Sequence, residues 1–199
     1  MSPTPSPIFE GNLANYFRDR LEACAKPLKP QPTDDALSYM AQLMARLSDS
    51  RQLFSFEAGR LHLRPFALLY KDAHEAQGGH QRCLILRQLG DQALFVGALF
   101  PESYARHGLK QEYFIGMGGG AYDYLSDHAA RTQRSTFAEL AQRFTAFLGL
   151  VADACHRNTD DGDADVIALY QAWLLTGDQR AADRLAKLGV TLDSGTTRH

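Results

Sequence analysis

Apolar residues recur at helical spacing along almost the whole chain. Leu13, Phe17, Leu21 and Cys24 form one stripe, with Arg18, Asp19 and Glu22 opposite, and Pro27, Pro30 and Pro32 close that helix with a stiff connection. Thr33 is placed as an N-cap ahead of Asp34 and Asp35, acids that favour the positive end of a helix dipole. Leu37, Met40, Leu43, Met44 and Leu47 then trace a second stripe, read as core filling rather than as a soft methionine-lined binding face. Residues 53–63 break the pattern: Phe54/Phe56 and Leu61/Leu63 alternate with polar neighbours around Ala58-Gly59, which predicts a short β-hairpin. Pro65 suits the first position of a third helix that Gly78-Gly79 ends.

The fourth helix, from about His80 to Phe100, is apolar on most sides in its second half and is therefore expected to be the most enclosed. Gly90 and Gly97 lie on one face and mark close helix crossings or a kink. Another helical turn is expected over residues 102–106. Next comes Glu-Tyr-Phe-Ile-Gly-Met-Gly-Gly-Gly-Ala-Tyr, residues 112–122, the fifth helix. Glycine in a helix costs about 1 kcal/mol relative to alanine, so Gly116 and Gly118 to Gly120 imply a close backbone approach, by a neighbouring helix or by a ligand. Thr136 to Glu139 reads as a capping box opening a sixth helix that runs through Leu140, Phe144, Phe147, Leu148, Val151 and Cys155. A polar loop over residues 158–163 precedes a seventh helix containing Trp173, and an eighth ends at Gly189. The expected class is all-α: a single compact bundle of about seven or eight helices, with one short β-hairpin near residues 53–63. Residues 1–7 form a proline-rich disordered lead-in, 8–190 the single domain, and 191–199 a frayed tail.

Composition narrows the function classes. The 199 residues suit one domain, and 45% hydrophobic with 22% charged residues is ordinary for a globular chain. A net charge of -2, with scattered basic residues, gives no electrostatic reason to expect nucleic acid. The longest apolar run, residues 93–100, is far short of the ~20 residues that span a bilayer. The N-terminus lacks a secretory pattern, and the three separated cysteines suit buried thiols, so a cytoplasmic setting is expected.

No catalytic motif stands out. Residues 116–121 match a dinucleotide fingerprint, but the capped helix that follows offers no second strand, so a βαβ unit is not expected. Glycine amides at the start of a helix over residues 122–127 could still cradle an anion, a reading set against tight helix packing. The seven histidines show no metal-ligand spacing, and no metal or cofactor is expected. Asp123 and Asp127 share a face as like charges, a solvated surface. Arg106, Lys110, Arg131 and Arg134 could make a small anion patch.

The stretch from Arg87 through Phe100-Pro101-Glu102-Ser103 and on to Tyr113-Phe-Ile-Gly-Met-Gly-Gly-Gly-Ala-Tyr122 resembles a group of mainly proteobacterial proteins over most of residues 35–190. That group carries no assigned activity. The resemblance implies a bacterial cytoplasmic protein and no functional residues.

The expected function is that of a non-catalytic helical adaptor or regulator acting through protein–protein contacts or self-association, with a homodimer as the simplest assembly. The alternative is a small-molecule or cofactor binding protein or enzyme with a pocket between the fourth and fifth helices. Its candidate ligand-binding residues are Arg87, His107, Tyr113, Met117, Gly119, Tyr122 and His128, with Phe95 and Tyr124 as further lining.

Overall fold

The computed structural model of the protein describes residues 7–48, 55–57, 60–62, 64–99 and 110–156. The expected turn over residues 102–106, the seventh and eighth helices, Trp173 and His107 lie outside them. Helix α1 (Pro7–Ala25) and α2 (Asp34–Leu47) pack antiparallel across the proline connection, and β1 (Ser55–Glu57) pairs antiparallel with β2 (Arg60–His62) in the short hairpin expected there. Helix α3 (Phe66–Glu75) and the long α4 (Gly79–Leu99) form a helical hairpin. Next come α5 (Gln111–Phe114), a π-helical turn (Ile115–Gly119), α6 (Gly120–His128), a 3₁₀ turn (Arg131–Gln133), α7 (Arg134–Gln142) and α8 (Phe144–His156). The chain is an all-α bundle, and its described helices share one apolar core.

Helix α4 is the axis of this arrangement. Residues 89–99 are buried on every side, including the two polar residues Asp91 and Gln92. Helix α3 lies against it through Phe66, Leu69 and Ala73, and Phe66 also stacks on Tyr113 and meets Phe114 edge-on. Helices α5 and α6 run as one helical path antiparallel to α4. Near one end of this seam Cys83 Sγ donates to the His128 carbonyl (3.6 Å), and near the other Phe114 packs at Gly97.

Capping decides where α2 begins. The Thr33 hydroxyl accepts from the Ala36 amide (3.2 Å), as the sequence implies. The same hydroxyl donates to Glu139 Oε2 (2.6 Å), and Glu139 also takes the Thr33 amide, so a side chain on α7 secures the start of α2. Arg143 pairs with Glu139 (2.8 Å) and donates to the Pro30 carbonyl (2.6 Å), fastening the proline connection to the same helix.

These bonds overturn three local expectations. Residues 136–139 are no capping box: α7 starts earlier, at Arg134 after the 3₁₀ turn, Thr136 is buried inside it, and Glu139 is spent on Thr33 and Arg143. The sixth helix is not continuous. It breaks at Arg143 (φ -114°, ψ 22°), and Phe144 beyond the break packs against Gly118 and Tyr122. Pro65 precedes α3 as its cap rather than serving as its first residue.

Candidate functional site

Two features meet on α4: a seam closed by glycines and, one face round, a buried charged cluster. The seam explains part of the glycine-rich segment. A Cβ on Gly118 would overlap the ring edge of Phe144 and lie 2.9 Å from Ala93 Cβ; one on Gly90 would lie 2.7 Å from the Tyr122 ring. Gly97 is nearly as tight, 3.0 Å from Phe114 and 3.1 Å from Leu148. Helix packing therefore requires Gly118, Gly90 and Gly97. Gly119 has only ordinary contacts, at 3.9 Å from the Ala141 carbonyl and Phe144, and at Gly116 and Gly120 a Cβ would meet nothing within 4 Å. The wider π turn keeps Phe114, Gly118, Tyr122 and Leu125 on one inward face. It also bears on the anion-cradle expectation: α6 starts at Gly120 as a continuation of the π turn, not as a free helix N-terminus. The backbone runs through them in helical conformation, and the Gly120 amide is bonded to the Gly116 carbonyl.

The charged cluster is centred on Asp91, only 1% exposed. Its Oδ1 accepts from the Tyr39 hydroxyl on α2 (2.6 Å) and from the Tyr122 hydroxyl on α6 (2.8 Å). Its Oδ2 is paired with Arg46 Nη2 from α2, and Arg87 Nε, one turn back on α4, lies 3.9 Å away. Arg87 also donates to the Tyr39 hydroxyl (3.1 Å) and sits over the Tyr39 ring, 5.1 Å from its centroid. The rings of Tyr39 and Tyr122 are held in turn by Phe137, edge-on and stacked respectively. One carboxylate thus joins α2, α4 and α6.

Burial pushes the Asp91 proton affinity above the usual carboxylate range, opposed by the charge of Arg46 and the two tyrosine donors. All four neighbours are donors, and a protonated oxygen would have to compete with them, so the geometry holds Asp91 as the carboxylate. Burial, reinforced by the Asp91 charge, raises Tyr39 and Tyr122 well above the usual phenol value. For Arg87 burial acts downward, but Tyr39 and Asp91 outweigh it and the guanidinium is held more firmly charged.

The expected ligand-binding residues do not converge on one point. Arg87 and Tyr122 meet at Asp91. Tyr113 is engaged with Phe66 at the far end of the seam, Met117 packs against the core, and Gly119 faces α7 and α8. His128 is exposed at the end of α6, stacked on Tyr124 at 3.9 Å with Nδ1–H donating to the Tyr124 carbonyl (2.9 Å). Tyr122 is fully buried, and Phe95 lies in the core.

Asp91, Tyr39 and Arg46 were not singled out by motif. The signal was present: a carboxylate in the middle of a helix that is otherwise apolar all round must have partners, and Arg87 stands four residues before it. Among the described residues no group of three or more His, Cys, Asp or Glu is placed to hold a metal, and no helix is long and apolar enough to cross a membrane. No protein-family model, no curated protein and no solved structure matches the chain.

Proposed function

We propose that the chain is a non-catalytic helical module, an adaptor or regulator that works by contact with another protein or with a second copy of itself. The observation that carries this reading is the exposure of three large apolar side chains on the α3–α4 hairpin, Leu68, Tyr70 and Leu84, each left about half exposed. Supporting it, the Asp91 carboxylate is buried and accepts three hydrogen bonds from within the fold, so it is engaged in joining helices. Burial of Cys24 and Cys155 in the apolar core supports a reducing, cytoplasmic setting. Native mass spectrometry of the protein as purified tests the reading. The expected spectrum shows an assembly larger than one chain, reduced to the single chain by Leu84→Glu or Leu68→Glu. Single chains in the wild type, with or without a small molecule attached, would contradict self-association and leave only contact with a different protein.

A second reading, a small-molecule binder with its site beside the glycine-rich segment, draws support from Gly116 and Gly120. Both are exposed helical glycines that packing does not require. A retained small-molecule mass in the same spectrum would favour it.

A further inference from the structure

The buried cluster carries more positive charge than Asp91 needs. Arg46 is bonded to Asp91 Oδ2 and Arg87 Nε lies 3.9 Å from the same oxygen, from different helices, while their side chains stay 41% and 34% exposed. Arg46 uses Nη2 and Arg87 uses Nε; among the described residues, Arg46 Nε and Nη1 and Arg87 Nη1 and Nη2 have no acceptor. Among the described residues, two cations against one carboxylate leave a net charge of +1 at the rim. The unused Nη1 and Nη2 of Arg87 form a planar fork that matches the spacing of oxygens in a carboxylate or phosphate, and Arg46 keeps Nε and Nη1 as separate single donors. Both guanidinium groups are also held in place beforehand: Arg87 by the Tyr39 ring and hydroxyl, Arg46 by the buried oxygen of Asp91. Fixing a long side chain in advance removes part of the entropy that a surface arginine loses on binding. The contrast within the chain is Arg64, about half exposed and paired with Asp72 at 2.5 Å, where one charge answers one charge.

We propose that Arg46 and Arg87 together form a binding site for one oxyanion group, a phosphate or a carboxylate, of a small ligand, with Asp91 and Tyr39 as positioning residues beneath it. The site is independent of the protein-contact reading above: it would stand if the chain proved to be a monomer, and fall without affecting self-association.

The test is a titration of the full chain, followed through arginine Nε–H resonances, with inorganic phosphate, with succinate and with chloride at matched ionic strength. A saturable shift of the Arg46 and Arg87 signals by phosphate or by succinate, with Arg64 unmoved, is the expected result, and whichever anion saturates identifies the head group. The shift should weaken at least tenfold in Arg46→Gln and in Arg87→Gln. Because the titration is read on the wild-type protein, it decides the matter even where a variant fails to fold. Shifts no larger than those with chloride, or shared equally by Arg64, would overturn the proposal.

Discussion

Two faces of the same helix are closed by opposite means. Where α4 meets the glycine-rich path and α8, side chains are removed: Gly90, Gly97 and Gly118 let ring systems lie directly against backbone. One face round, where α4 meets α2, a charge is buried and then answered by two tyrosines and two arginines. The first device gains dispersion contact at no electrostatic cost, but it tolerates no added volume. The second gives direction, since a carboxylate flanked by fixed donors accepts only one register of α2, α4 and α6; the penalty is desolvation, and any lost partner leaves it uncompensated. Tyr122 belongs to both, with its ring over Gly90 and its hydroxyl on Asp91.

Substitutions separate the two devices. The largest effect is expected from Asp91→Ala, which strands two buried hydroxyls and two guanidinium groups; about 3–5 kcal/mol of stability should be lost in chemical denaturation. Tyr122→Phe keeps the ring over Gly90 and removes only the bond to Asp91, so about 1.5–3 kcal/mol is expected. The tyrosines also set a pH dependence. Their folded values lie above the unfolded value of about 10, so their contribution is intact below that pH and is lost as pH rises through the folded values. Phenolate absorbance should show Tyr39 and Tyr122 ionising only as the chain unfolds. Ionisation of all tyrosines together in the folded protein would contradict the hydrogen-bonded geometry.

Most of the helical frame was legible because it rests on local signals: the apolar stripes of α1 and α2, the Thr33 cap, and the enclosure of α4 each lie within one segment. The misreadings share a cause. Glu139 has the spacing of a capping residue, but the donor it satisfies is Thr33, which folding brings over from another helix. The break at Arg143 has no glycine or proline to announce it. Of the residues that meet at Asp91, Arg87 and Tyr122 were named from the sequence, as ligand-binding candidates, and Asp91 was not. A buried ion cluster is assembled from three helices, and no spacing rule joins Tyr39, Asp91 and Tyr122.

Smaller changes sharpen the comparison further. Gln92 is buried on α4 with its Oε1 lacking a partner among the described residues, unlike its neighbour Asp91. Gln92→Leu should therefore hold stability level or raise it by about 1 kcal/mol, seen as a higher denaturation midpoint. A marked loss would mean that this polar group is bonded after all.

The glycines give the most direct measurement, because neighbours in sequence are expected to answer with opposite signs. In urea denaturation, Gly118→Ala should lose about 1–3 kcal/mol, since its methyl overlaps Phe144 and crowds Ala93. Gly120→Ala should gain about 0.5–1 kcal/mol, since its methyl meets nothing and the helix interior favours alanine. If both variants lose stability alike, or if Gly118→Ala is neutral, close helix contact at Gly118 is not what the segment provides.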